Sequence, residues 1–147
     1  MKAGPADAVS GFVLVGGRST RLGVDKATYV LDGRIAADRV ASLISNVCGG
    51  GVTLVGRESV TESVFPTVPD IVESLGPLGG IATALEMART PFALVLATDL
   101  WWLGESGVRR LVETGEPMMV EGEPIDVVVA ATGPSSEKIQ PLCSLWR

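Results

Sequence analysis

Phe12-Val13-Leu14-Val15-Gly16-Gly17-Arg18-Ser19-Thr20-Arg21-Leu22-Gly23-Val24-Asp25-Lys26 is the stretch that decides the fold. An apolar run over residues 8–15 stops abruptly at two glycines. Continuous rather than alternating apolarity predicts a strand buried on both faces, as in a sheet with helices on each side. The glycines predict a loop over 16–25, whose backbone can adopt positive φ and approach a ligand closely. Successive N–H groups in such a turn can surround phosphate oxygens. Arg18, Arg21 and Lys26 gather positive charge there. Arginine offers a planar fork of donors, and lysine a compact point charge. The spacing is neither a Walker A loop nor the G-x-G-x-x-G dinucleotide pattern. On the residues alone, an anion site and a solvated surface turn both stay open.

Outward from this loop, strands and helices alternate. Val40, Leu43, Ile44 and Val47 follow the i, i+3, i+4, i+7 spacing of one apolar helix face and predict a helix over 34–47. Gly49, Gly50 and Gly51 stop it. A short strand follows over 52–55. Residues 56–75 show no clear period, with one short strand expected around 65–68. Gly76-Pro77-Leu78-Gly79-Gly80 is a turn into a helix carrying Ile81, Ala84, Leu85 and Ala88 on one face. Residues 92–97 form the strongest strand and end at Thr98-Asp99. A helix over 105–113, a polar hairpin or loop over 115–123, and strands over 126–131 and 139–146 complete the chain. Residues 1–7 read as a loose arm. This order predicts an α/β fold, a three-layer α/β/α Rossmann-like and mostly parallel sheet forming one domain over 1–147. Such sheets bind ligands beyond the carboxyl ends of their strands.

The bulk composition narrows the chemistry. A hydrophobic fraction of 46% suits a buried sheet, and a net charge of −5 gives no basic footprint for nucleic acid. The chain has no histidine and two distant cysteines, Cys48 and Cys143. A Cys/His zinc site and a Ser-His-Asp or Cys-His unit are therefore excluded within it, and both cysteines read as small buried residues. Neither an apolar leader in residues 1–7 nor a membrane-length apolar run is visible, so a soluble cytoplasmic protein is expected.

Two further landmarks carry chemistry. A helix starting at Gly76-Pro77-Leu78 presents free N–H groups and partial positive charge. The plainer reading is an ordinary turn. Asp99 closes its strand at the same sheet edge. It is a natural oxygen ligand for Mg²⁺, which needs only one or two carboxylates plus phosphates, or it is a simple turn Asp. The neighbouring Trp101 and Trp102 either pack in the core or a lid, the commoner use of aromatic area, or line a substrate cleft. Gln140-Pro141-Leu142 fits an edge strand carrying a proline.

The loop resembles the pattern L-A-G-G-x-S-x-R-M-G-x-D-K of the MobA-like nucleotidyltransferases, which include the molybdenum cofactor guanylyltransferases. Gly16, Gly17, Ser19, Arg21, Gly23, Asp25 and Lys26 match at the family spacing, while Val15 and Leu22 depart from it. Residues 76–81 resemble the family's G-P-L-x-G-I turn, Gln140-Pro141-Leu142 its late [HQ]-P-L segment, and Asp99 its metal-holding aspartate. The resemblance implies the nucleotide-diphospho-sugar transferase type of fold. It also implies transfer of GMP from GTP to a phosphate acceptor, with molybdopterin the leading acceptor and Mg²⁺ the cofactor. Arg21, Lys26 and Asp99 would be the catalytic residues. Leu14, Val15, Gly16, Gly17, Ser19, Lys26, Asp70, Gly76, Pro77, Leu78 and Asp99 would bind nucleotide, and Asp99 the metal. A second copy of the chain or a molybdoenzyme-maturation protein is a conceivable partner.

Three departures stand beside this. Family members run on past the last segment, so the fold is expected to be shortened at its C-terminus. Gly56-Arg57 stands where guanylyltransferases often carry an asparagine for the nucleotide, and Leu100-Trp101-Trp102 replaces the family's Met-Pro-Phe. The alternatives are a nucleotide-binding relative without turnover, and a cytidylyl or sugar-phosphate nucleotidyltransferase of the same fold.

Overall fold

A computed structural model of the chain describes residues 5–17, 23–49, 51–115, 119–120, 123–132 and 138–147. Among them the order is β1 (Val9–Leu14), β2 (Val30–Leu31), β3 (Arg34–Ile35), α1 (Ala36–Ser45), β4 (Val52–Val55) and β5 (Thr67–Val68). Then follow α2 (Pro77–Met87), β6 (Phe92–Ala97), α3 (Glu105–Gly115), β7 (Met119–Val120), β8 (Glu123–Pro124), β9 (Val127–Thr132) and β10 (Lys138–Trp146).

The main sheet has six strands in the order β5-β4-β1-β6-β10-β9. The first four run parallel, and β10 is antiparallel to both its neighbours. β1 is central and buried along its whole length, as its unbroken apolarity demands. Its residues alternate between two cores. Val9 and Val13 meet Val40, Ala41 and Ile44 of α1 and Val108 and Val112 of α3. Phe12 and Leu14 join Ile81 and Ala84 of α2 on the opposite face. The result is the expected three-layer α/β/α arrangement with a mixed, mostly parallel sheet. No helix among the described residues is long and apolar enough to cross a membrane.

Local differences from the sequence reading have physical reasons. α1 begins at Ala36, because Arg34 and Ile35 pair with Val30 and Leu31 in a hairpin. Asp32 and Gly33, with φ of 49° and 77°, form its tight turn. The N-terminal arm contains a 3₁₀ turn at Pro5–Ala8. The strand expected around 65–68 shortens to two residues, and β7 and β8 pair within the segment expected as hairpin or loop. β10 lies between β6 and β9, but its pairing with β6 begins only at Cys143, so Gln140-Pro141-Leu142 keeps one open side, as a proline requires. Its register shifts between Gln140 and Ser144, an irregularity that accommodates Pro141 without a ladder N–H. Cys48 and Cys143 are free and buried, and burial pushes each thiol up to about 11.

Candidate functional site

Strand register assembles the site. Leu14 lies opposite Val55 on β4 and Ala97 on β6, so three parallel strands end level with one another. The next residues of each therefore emerge at one sheet edge. There Thr98 donates its hydroxyl to the Leu14 carbonyl at 2.6 Å, and the Val15 N–H donates to the Val55 carbonyl at 2.8 Å. The N-terminus of α2 closes the far side. Between them opens a cleft of about 1250 Å³. Leu14, Val15, Gly16, Gly17, Lys26, Asp70, Gly76, Pro77 and Asp99 all line it. Leu78 does not: it is 67% exposed and lies outside the lining. Helix α2 turns it to solvent while presenting Gly80 inward. Arg18, Ser19, Thr20 and Arg21 lie outside the described residues.

Lys26 Nζ sits 4.0 Å from an Asp99 carboxylate oxygen, with both side chains more than half exposed. Two charges at 4 Å in water attract by only about 1 kcal/mol, and side-chain entropy and salt reduce that further. Stability does not explain the pairing. It leaves a cation and a carboxylate free to engage a ligand. Among the described residues no group of three or more His, Cys, Asp or Glu converges on one point. One exposed carboxylate nonetheless fits Mg²⁺, an ion completed by phosphate oxygens and water.

The turn bearing Lys26 is fixed from both sides. The Ala36 and Ala37 N–H groups, at the start of α1, donate to the carbonyls of Tyr29 and Ala27. Orphan donors of a helix start thus anchor the preceding turn. On the other side, Arg57 grips the Asp25 carboxylate in a fork, with Nη2 to Oδ1 at 2.8 Å. Asp25 also accepts the Ala27 N–H at 3.0 Å. The Arg57 hydrogen bond holds Asp25 below the usual carboxylate range, against partial desolvation, and raises the Arg57 guanidinium in turn. Sequence reasoning missed Asp25–Arg57 as a pair, since nothing in the spacing joins residues thirty-two positions apart.

Gly56 permits the close approach of two cleft walls. Its φ is +118°, and a Cβ there would lie 2.6 Å from the Gly16 nitrogen. The position therefore excludes a side chain, including the asparagine of the family pattern. Close beside Gly56, where a Cβ would stand 3.7 Å from it, Asp70 Oδ1 is shielded from solvent and has no hydrogen-bond partner among the described residues. Burial pushes its carboxyl above the ordinary range. Gly79 and Gly80 make room for this carboxylate, and a Cβ at Gly79 would stand 3.4 Å from Oδ2. Asp70 is one of the residues lining the cleft, where a carboxylate is matched by a ligand N–H or O–H.

Two aromatic residues stand outside the core. Trp101 and Trp102 are not in the core but 40% and 57% exposed. Trp101 lines a hollow that adjoins the cleft. Leu142, from the late Gln-Pro-Leu segment, also reaches the cleft lining.

Comparison with known proteins follows this geometry. A model of the MobA-like NTP transferase domain matches residues 11–147. A molybdenum cofactor guanylyltransferase from Desulfosudis oleivorans is 32% identical over 143 residues, covering 95% of this chain and 66% of the relative. A probable molybdenum cofactor guanylyltransferase from Peptoclostridium acidaminophilum is 25% identical over 139 residues, covering 94% of this chain and 62% of the relative. The chain thus spans somewhat under two thirds of the length of these curated relatives. The crystal structure of a molybdopterin-guanine dinucleotide biosynthesis protein A from Archaeoglobus fulgidus matches with a TM-score of 0.70 at 20% identity. That match covers 93% of this chain and 66% of the other, and shows likeness of fold.

Proposed function

The chain belongs to the MobA-like NTP transferase domain family, and on that premise we propose that it transfers GMP from GTP to a phosphate acceptor, molybdopterin. The observation that carries this reading is the exposed Lys26–Asp99 pair at the carboxyl edge of the sheet. An acceptor phosphate oxygen attacks the α-phosphorus of GTP. The new P–O bond forms as the bond to the bridging β-oxygen breaks, and pyrophosphate leaves with the electron pair. The acceptor phosphate is already ionised, so the reaction needs no protein base and no histidine.

In this reading Lys26 stabilises charge that grows on the phosphates, in a position fixed before substrate arrives. Arg21 adds a second cation from the preceding loop. Backbone N–H groups at Gly16 and Gly17 meet phosphate and base, the Val15 N–H being held by the Val55 carbonyl. Asp99 would hold Mg²⁺, which when bound supplies charge neutralisation at phosphate oxygens. The Asp70 carboxylate in the cleft wall favours guanine. Guanine N1–H and its exocyclic amine offer adjacent donors to a carboxylate, where adenine and cytosine offer only the amine.

Gly56 favours a second reading, a cytidylyl or sugar-phosphate nucleotidyltransferase, because it brings no side chain to the base. Isothermal titration with GTP, CTP and ATP in Mg²⁺, followed by pyrophosphate release with molybdopterin, tests both. Tight GTP binding with pyrophosphate release supports the proposal. A preference for CTP supports the second reading. Binding without release leaves a nucleotide-binding protein, and absence of any NTP binding rejects all three.

A further inference from the structure

The peptide unit between Leu14 and Val15 is held from both sides. Its carbonyl accepts the Thr98 hydroxyl at 2.6 Å, and its N–H donates to the Val55 carbonyl at 2.8 Å. Gly16 and Gly17 follow directly and carry the first N–H groups of the glycine-rich loop. Each peptide is a rigid plane hinged to the next at one Cα, so the orientation of this plane sets where the loop starts and how it is aimed.

On the β6 side the last register pair is Leu14 with Ala97. Beyond it the chain leaves the sheet in the 3₁₀ turn Thr98–Leu100, with Thr98 and Leu100 buried on either side of Asp99. Leu100 is anchored in the core, and its carbonyl accepts the Leu103 N–H at 2.8 Å. Thr98 is the polar anchor. A buried hydroxyl needs a partner, and this one finds it on β1 in a short O–H···O bond. The Asp99 side chain is more than half exposed, and its ion pair with Lys26 spans 4.0 Å, so its place is set by the backbone that carries it.

Resting on the nucleotidyltransfer reading, we propose that Thr98 is a positioning residue. Its hydroxyl ties the turn carrying Asp99 to the peptide that launches the glycine-rich loop. It thereby sets the separation between the carboxylate that would hold Mg²⁺ and the N–H groups that meet phosphate. A second tie of the same kind provides an internal control. At the opposite end of these two strands, just before β6 begins, the Ser10 and Thr90 hydroxyls share a hydrogen bond of 2.7 Å. Of these two ties, the one at Thr98 stands beside the site, and the one at Thr90 lies at the far edge of the sheet.

The test compares three variants of the full chain. Thr98→Val removes the hydroxyl at nearly constant shape, Thr98→Ser keeps it, and Thr90→Val breaks the distant tie. Titration calorimetry with GTP, in EDTA and in Mg²⁺, gives the gain in affinity that the metal brings, and circular dichroism checks folding. In Thr98→Val, metal-free affinity should stay within about threefold of wild type, while the Mg²⁺ gain shrinks by about fivefold or more, the scale of one lost buried hydrogen bond. Pyrophosphate release should slow by about tenfold to a hundredfold, as a small misplacement of reacting groups does. Thr98→Ser should restore both to within about threefold, and Thr90→Val should alter neither, whatever its effect on the melting temperature. A full Mg²⁺ gain in folded Thr98→Val, an equal loss in Thr90→Val, or no recovery in Thr98→Ser overturns this inference while GTP binding stands. Thr98→Ala, too small to clash, replaces Thr98→Val if that variant does not fold. Failure of both to fold makes Thr98 a structural residue and also overturns the inference, as does a wild type whose GTP affinity ignores Mg²⁺. A wild type that binds no GTP overturns the proposed function, and this inference with it.

Discussion

Arg57 holds Asp25 in a two-pronged grip, tying the end of β4 to the turn that carries Lys26. The same carboxylate accepts the Ala27 N–H, so one ion pair sets the backbone on both sides of Lys26. Arg57→Ala should loosen this turn. Because Asp25 is about a third exposed, solvent screening limits the pair's contribution to about 1 kcal/mol at neutral pH. Asp25 titrates below its ordinary 3.8 when folded. Its contribution is thus fully present above pH 3.8 and is lost as pH falls through the lower folded value. Denaturant unfolding should show wild type more stable than Arg57→Ala at pH 7, with the gap closing under strongly acid conditions. A gap that persists in acid would mean that packing of the Arg57 stem, not charge, is responsible.

Gly56→Ala should be among the most damaging single changes in the cleft. Its Cβ would meet the backbone of Gly16 at 2.6 Å and 2.7 Å, and main chain cannot rotate aside as a side chain can. Positive φ adds strain for any L side chain. A loss of roughly 2–4 kcal/mol is expected, the range of severe steric mutations. A thermal melt would show it, together with weakened GTP binding. A variant as stable as wild type would show that the two walls separate without penalty.

The sheet was legible in the sequence because β1, β4 and β6 are short unbroken apolar runs, and α1 and α2 repeat at helical spacing. The site was legible as far as local motifs reach: Lys26, Asp99 and the Gly76-Pro77 turn meet at one edge because parallel register brings them there. Tertiary pairing was not legible. Asp25–Arg57 joins two loops, and Leu142 reaches the cleft only because β10 inserts beside β6. Leu78 shares a motif with Pro77 yet points outward, since neighbouring helix residues face different ways. The Asp32-Gly33 hairpin did have a local signal, an Asp-Gly pair between Val30-Leu31 and Arg34-Ile35, hidden beneath the helix pattern that follows.

Asp70→Asn should separate stability from binding. Burial raises the Asp70 carboxyl above its ordinary value. A raised folded value means that ionisation opposes the fold, so stability declines as pH rises from 3.8 through that value. The amide removes this penalty, and the melting temperature at pH 7 should equal or exceed that of wild type. GTP affinity should fall by about tenfold or more, because a carboxylate acceptor is replaced by an amide that also carries donors. A lower melting temperature with unchanged GTP affinity would make Asp70 a structural residue.

Lys26→Ala and Asp99→Asn dissect the exposed pair. With both side chains more than half accessible and 4.0 Å apart, neither change should shift stability by more than about 0.5 kcal/mol. Their effects on ligand should diverge. Lys26→Ala removes a phosphate-facing cation, and GTP affinity should fall by about tenfold to a hundredfold with or without Mg²⁺. Asp99→Asn removes a negative charge that opposes phosphate in the absence of metal, so metal-free GTP binding should hold or tighten. The gain in affinity on adding Mg²⁺ should shrink, and pyrophosphate release should slow by at least about a hundredfold. Titrations of each variant with GTP, in EDTA and in Mg²⁺, read these out. If Asp99→Asn keeps the full Mg²⁺ response, the metal is held elsewhere in the cleft and the Lys26–Asp99 pair has lost its assigned chemistry.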